Sequence, residues 1–357
     1  MLVSICILAW NEEKIIKETI RSLLEQSVFQ KNYKPDEKVR WQLVVVPNGC
    51  HDQTALRATE AIEDILCTKP HLTISWRVQE LKTPGKANAW NQCIHQFVDP
   101  NCDLVVMVDA DIVFGHIETI ENSILALSNA PHAVVAVDQA LKSALRKERL
   151  NVLEKISLSG TDLNASAQPG IAGSFYCARA SALRNIWIPP GLPVEDGFIK
   201  AMIISDCFRK PNDVNKIVMA ENASHYFDTL TNVRDIFRHE VRMVVGTALN
   251  CYFTWDFLKY ATDPNGPGAG HLIKSCLDSN PSWYQEFILN TVRNRGYWVL
   301  PNSMVFRRLK SVSFQRLGLF RALLNLPLAV LLFVFDFPVL FTANRKLRNG
   351  TAIGYWR

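Results

Sequence analysis

The sequence lacks several things. It has nine cysteines but no Cys-x-x-Cys pair and no short even spacing among them. Cys6, Cys93 and Cys177 sit in apolar surroundings, which is how a reducing compartment uses thiols, as small core residues. No basic stretch precedes the first apolar run. Met1 to Trp10 leads straight into Asn11-Glu12-Glu13, so a first strand is expected there and not a secretory signal. No nucleic-acid motif accompanies the positive charge. The net charge is +5, yet residues 301–357 alone hold nine Lys/Arg against one acid, Asp336, and the remainder carries 30 basic and 33 acidic groups. A near-neutral body with a basic, apolar tail is not a nucleic-acid footprint. A clean spanning segment is also missing. Leu317 to Phe341 is interrupted by Arg321, Asn325, Pro327, Asp336 and Pro338, and its longest unbroken part, Leu328 to Phe335, has eight residues, where a spanning helix needs roughly 20.

At 357 residues, 48% hydrophobic and 20% charged, the chain is globular and long enough for a sizeable core in one to three domains. Its most informative stretch is Asp103 to Asp111. A valine-rich run reads as a buried, parallel strand, and it ends in Asp109-Ala110-Asp111. Side chains two apart on a strand point the same way, so both carboxylates are expected to face one cavity at the strand's carboxyl end, where open α/β sheets bind ligands. Adjacent carboxylates repel unless a cation lies between them, and hard oxygen ligands suit Mg2+ or Mn2+ held together with phosphates. The plainer reading is a solvated pair at a strand end.

Around this stretch strands and helices alternate. Strands are expected at Leu2–Leu8, Trp41–Val46 and Leu72–Val78. Helices are expected at Asn11–Leu24, with Asn11 as cap, and at Asp52–Leu66 and Ala87–Phe97. Such alternation builds a mostly parallel sheet with right-handed crossovers. It brings Ala9–Glu13, Pro47–Asp52, Thr83–Asn91 and Asp109–Asp111 to one edge.

The ordered set Ile5-x-x-x-Ala9-Trp10-Asn11-Glu12, Val44-Val45-Val46-Pro47-Asn48-Gly49, Gly85-Lys86-Ala87 and Asp109-Ala110-Asp111 resembles the family 2 glycosyltransferases of the GT-A fold. Downstream, Gly173 to Arg179, Val194-Glu195-Asp196-Gly197 and Arg238-His239-x-x-Arg242 continue it. The resemblance covers roughly residues 2–250. It implies a Rossmann-like nucleotide-diphospho-sugar transferase fold. It also implies a donor-binding set of Ala9, Asn11, Glu12, Asn48, Lys86, Asp109, His239 and Arg242, with a metal pair Asp109 and Asp111. In the catalytic pair, Asp196 would be the general base and Glu195 its orienting neighbour. One base with direct displacement implies inversion at the sugar. The chain departs from the family at Pro47-Asn48, where an acidic pair is usual. A UDP-sugar donor is favoured, and a guanosine donor stays open. His239 and Met243 stand where processive members carry other residues, which points to transfer of a single sugar.

The expected acceptor is a lipid-linked or saccharide hydroxyl, as in building cell-envelope polysaccharide or glycolipid, at the cytoplasmic face of the membrane. Residues 1–250 are expected to form the catalytic domain, 251–310 a helical and loop extension, and 311–357 a basic apolar tail. Basic residues on both sides of the apolar run suit an interfacial or re-entrant hairpin; a single span and a packed core helix remain open. The glycine-rich loop at 263–270 reads as a lid over the acceptor or as a plain linker. His225 reads as a satisfied core histidine. Two other classes stay in view, a sugar nucleotidyltransferase and a non-catalytic nucleotide-sugar-binding scaffold.

Overall fold

The structure is a computed structural model that describes residues 1–30, 39–147, 169–308 and 319–350. One eight-stranded sheet organises it. The strands are β1 (Leu2–Ala9), β2 (Arg40–Pro47), β3 (Ile74–Val78), β4 (Leu104–Asp109), β5 (Val113–Phe114), β6 (Val135–Lys142), β7 (Phe175–Arg179) and β8 (Ile217–Phe227). Their spatial order is β3-β2-β1-β4-β7-β6-β8-β5. The sheet is parallel from β3 through β4, but β7 runs antiparallel to both β4 and β6. The whole is therefore mixed: the expected parallel pairing holds from β3 through β4 and again between β6 and β8, while β7 and β5 run against their neighbours. The reversal has a consequence for the site. Because β7 runs the other way, the residues that precede it arrive at the carboxyl end of β4, where the Asp109 amide donates to the Ser174 carbonyl at 2.8 Å.

β1 is buried along its whole length, as a central strand covered on both faces must be. Val3, Ile5, Ile7 and Ala9 face a core shared with helices α1 (Ile16–Leu24), α2 (Thr54–Thr68) and α4 (Thr119–Asn129). Leu2, Cys6 and Leu8 face the opposite core. That one is built with α3 (Lys86–Gln92), α5 (Glu195–Ile204), α6 (Val233–Asn250), α7 (Ala269–Ser279), α8 (Trp283–Arg293) and α9 (Leu319–Arg348). Cys6, Cys93, Cys102, Cys177 and Cys207 are buried free thiols.

Two local expectations are corrected. Asn11 does not cap α1. Its backbone takes a left-handed φ of 56°, and its side chain accepts from the His51 amide at 2.8 Å. The Glu12 and Glu13 amides donate across to Thr54 Oγ1 and Asp52 Oδ2, so the chain stays pinned to the neighbouring loop and regular helix begins only at Ile16. The loop at 263–270 is not a lid. The Ala269 amide donates to the Cys207 carbonyl, and a side chain at Gly270 would meet the Asn185 carbonyl at 1.8 Å. That position lies beyond the end of β7, away from Asp109.

The tail forms one helix through both Pro327 and Pro338, not the hairpin that basic residues on both flanks suggested. Packing accounts for the continuity: Val339, Leu340, Ala343 and Leu347 are buried in the larger core. Asp336 is fully buried. It accepts from Arg307 Nε at 2.7 Å and Arg308 Nε at 3.2 Å, and both arginines also reach Glu240 Oε2 on α6 at 2.6 Å. Removing one partner of such a buried cluster typically costs about 3–5 kcal/mol, because the other charge is left uncompensated. Among the described residues no helix is long and apolar enough to cross a membrane. Lys310 and Arg316, part of the basic cluster expected before the tail, lie outside the described residues.

Candidate active site

β4 ends at Asp109, and Asp111 sits in the turn beyond it. The two carboxylates are thus not consecutive same-side residues of one strand, as the spacing suggested, but they still feel each other. Burial raises Asp109 to about 6, with Lys86 opposing and Asp111 adding to the rise. Burial likewise raises Asp111, with Asp228 adding to it. Glu12 is pushed up to about 7 by burial and by the negative field of Asp111, Asp109, Asp52 and Asp228. It borders an open cleft of about 440 Å³ with Asn11, Lys14, Glu18, Asp52 and Asp228.

Lys86 is the centre of the site. It follows Gly85 at the start of α3, and its Nζ lies 2.8 Å from Asp109 and 2.9 Å from Glu195 Oε1, with the Gly173 carbonyl at 3.2 Å. Burial would lower its pKa, but the charges of Asp109 and Glu195 raise it and keep the ammonium protonated. Gly173 leaves room for this approach: a Cβ there would crowd the pair, lying 3.1 Å from Glu195 Oε1 and 3.4 Å from Lys86 Nζ. Asn48 places the Lys86 loop. Its Nδ2 donates to the Ala9 carbonyl at 2.7 Å and its Oδ1 accepts from the Gly85 amide at 3.0 Å. Buried and bonded at both ends of its amide, Asn48 ties the end of β2 to the Lys86 loop.

Glu195 and Asp196 open α5 and differ in their surroundings. Glu195 is buried against Lys86. Asp196 is half-buried, its Oδ1 accepts from the Gly197 amide at 2.7 Å, and burial together with the charge of Glu195 raises its pKa. The loop before them is held by α6. A Cβ at Gly246 would fall 2.1 Å from Val194 Cγ2, so only glycine lets the helix approach this closely, and Asn250 Nδ2 donates to the Val194 carbonyl at 2.7 Å. The same helix presents Arg242, whose guanidinium lies in the field of Glu195, Asp196 and Asp109. His239 is 3.4 Å from Arg242 Nη2, and burial and Arg242 lower its pKa. The structure thus brings together Glu12, Lys86, Asp109, Asp111, Glu195, Asp196 and Arg242. Asn11 lines the cleft beside them, while Ala9 is buried and offers its carbonyl to Asn48.

Sequence reasoning left out one group. His225 is fully buried. Its Nδ1 lies 2.9 Å from both oxygens of Asp138, and its Nε2 lies 2.8 Å from Ser174 Oγ. The ring also contributes to the field at Asp111. Asp138 sits at an irregularity where the β6–β8 register shifts between Val137 and Gln139. Such bulges re-aim a side chain, and no local spacing announces them.

The oxygen-rich, mutually repelling donor set of Asp109 and Asp111 fits a hard divalent cation. Among the described residues no group of three or more His, Cys, Asp or Glu side chains encloses a metal by itself.

The sequence profile described as glycosyl transferase family 2 matches residues 4–187. No curated protein matches the chain by sequence. Among solved structures, a mannosyltransferase from Pyrobaculum calidifontis in complex with GDP-Man and Mn2+ is similar over 97% of this chain and 86% of that one, with a TM-score of 0.53 and 16% identity. Glucosyl-3-phosphoglycerate synthase from Mycobacterium tuberculosis, in complex with Mg2+ and UDP, covers 70% of this chain and 78% of its own, with a TM-score of 0.44 and 18% identity. At 16% identity the likeness to the mannosyltransferase is one of fold alone.

Proposed function

Because the chain belongs to glycosyl transferase family 2 and has the GT-A fold, and is therefore a glycosyltransferase, we propose that it moves one sugar from a nucleotide-diphosphate donor to an acceptor hydroxyl with inversion. The observation that carries this reading is the position of Lys86. One ammonium touches Asp109 on the donor side at 2.8 Å and Glu195 on the acceptor side at 2.9 Å, which puts the two half-sites next to each other.

In this reading Asp111 and Asp109 would hold Mg2+ or Mn2+, and the cation would supply Lewis-acid charge at the diphosphate leaving group. Lys86 and Arg242 supply fixed positive charge beside the same leaving group. Glu12 and the cleft beside it receive the nucleoside. Uridine is our preferred base; the chemistry of the cleft admits guanosine as well. Asp196 accepts the proton of the attacking hydroxyl. Its raised pKa makes it a stronger base than a surface aspartate, and it moves the acid limb of activity upward from the ordinary aspartate range. Glu195, fixed by Lys86, orients the acceptor. The acceptor is a lipid-linked or saccharide hydroxyl met at the cytoplasmic surface of the membrane, where the enzyme is peripheral or monotopic.

A screen of UDP- and GDP-sugars by thermal unfolding tests the donor assignment. At a ligand concentration about a hundred times Kd, binding stabilises by about 2.7 kcal/mol, a shift of several degrees. The expected result is stabilisation by one nucleotide class that requires Mn2+ or Mg2+. If no nucleotide sugar stabilises the protein with either cation, the donor assignment is wrong.

A further inference from the structure

α9 has two unlike faces. Asp336, Leu340, Ala343 and Leu347, spaced by four, three and four residues, are buried against the body. The opposite face shows Leu326, Val330, Val334, Phe337 and Phe341 at helical spacing, with Leu331 beside them. These six side chains are between 44% and 62% exposed. Phe306 extends the patch, since it is exposed and its ring stacks 6.0 Å from Phe333, which in turn lies 5.0 Å from Phe337. The one acidic residue of this helix, Asp336, counts against membrane contact when read from sequence. In the structure it points inward to Arg307 and Arg308, so it does not face the patch.

The patch has a rim of distinct chemistry. Past Phe341 the helix carries Arg345, Lys346 and Arg348, all exposed. Asn344 draws a second segment to this end, donating to the Tyr297 carbonyl at 3.1 Å and accepting from the Val299 amide at 2.8 Å. Tyr297 and Trp298 are exposed there, and the Arg348 guanidinium lies 4.7 Å from the Tyr297 ring. An apolar stripe bordered by basic and amphipathic aromatic side chains is the pattern of an element lying in a membrane interface.

We propose that this face of α9, from Leu326 to Phe341 with the Tyr297–Trp298 and Arg345–Arg348 rim, seats the protein on an anionic lipid bilayer. Charge selects this occupant over a second copy of the chain. A symmetric copy would bring the same basic rim and no carboxylate from the exposed face to meet it, whereas an anionic leaflet attracts juxtamembrane Lys and Arg. The arrangement also places lipid one helix from the chemistry. Glu240, which holds Arg307 and Arg308, lies on α6 between His239 and Arg242. The inference rests on the membrane-surface reading above: wild type that ignores vesicles contradicts both, whereas wild-type binding that the variants leave undiminished contradicts this face alone.

The experiment is co-sedimentation of the full chain with phosphatidylcholine vesicles, with and without phosphatidylglycerol. Wild type should bind the anionic vesicles, and removing phosphatidylglycerol should weaken binding at least tenfold. Val334→Asp with Phe337→Asp should weaken binding to anionic vesicles by more than about tenfold. Arg345→Glu with Lys346→Glu should cost about tenfold or more and make the residual binding insensitive to phosphatidylglycerol. Both variants should keep the unfolding temperature and nucleotide binding of wild type, because the changed side chains are exposed. Wild type that stays in the supernatant with anionic vesicles overturns the proposal. So does undiminished binding by both variants, or light scattering that shows a dimer which Val334→Asp dissolves while vesicles are ignored.

Discussion

Asp196→Asn is expected to lower the turnover number roughly a hundredfold to ten-thousandfold, the usual contribution of a positioned general base. Asparagine keeps the shape and can still accept the Gly197 amide that Asp196 Oδ1 now accepts, but it takes no proton at neutral pH. Donor affinity should change little, because the ion pairs to Lys86 run through Asp109 and Glu195 and not through Asp196. Glu195→Gln provides the contrast. It removes the buried carboxylate that Lys86 holds at 2.9 Å, so it should disturb donor affinity as well as turnover. Titration of donor binding, paired with turnover on a competent acceptor, separates the two. If Glu195→Gln stops turnover while leaving donor affinity intact and Asp196→Asn does neither, the two roles are exchanged.

Asp111→Asn is expected to remove most Mn2+-dependent nucleotide binding and to lower activity by at least about a hundredfold, in keeping with the several kcal/mol a cation supplies at a developing charge. The fold should not weaken. Burial raises the pKa of Asp111, so the folded protein binds its proton more tightly than the unfolded chain does. The stability contributed by this group is therefore greatest at low pH, and it falls as pH rises from the ordinary aspartate range through the raised pKa. At neutral pH the charge is already a cost, and a neutral asparagine removes it. The check is an unfolding curve at neutral pH without metal, alongside nucleotide titration with and without Mn2+. Wild-type turnover in this variant, or Mn2+-dependent binding of wild-type strength, contradicts the metal assignment.

What could be read from the sequence was what is local. The valine run into Asp109 and the Gly85-Lys86 start of α3 are short segments whose own residue types dictate their conformation. They appear where periodicity and punctuation put them. What could not be read depends on residues far apart in the chain. Lys86 meets Glu195 across 109 positions, and His225 meets Asp138 across 87 through a register shift between two strands. The antiparallel course of β7 is likewise set by its neighbours β4 and β6. Asn11 reads as a helix cap by type, but the loop at residues 50–54 competes for the same polar groups and wins. Asp336 reads as a flaw in an apolar run until Arg307 and Arg308 are seen to face it. In each case tertiary contacts override a local preference, as they do for helix propensity in general.

The central claim is a single displacement in which the acceptor hydroxyl, deprotonated by Asp196, attacks the sugar as the diphosphate leaves, and the stereochemistry of the freed sugar tests it most directly. The protein is incubated with Mn2+ and the nucleotide sugar that stabilises it, with water standing in for the acceptor. Proton NMR then follows the anomeric signal before mutarotation mixes the two forms. From an α-linked donor the account predicts that the β-anomer appears first and that Asp196→Asn suppresses it. First appearance of the α-anomer, or equally fast release by the Asp196→Asn variant, would contradict it.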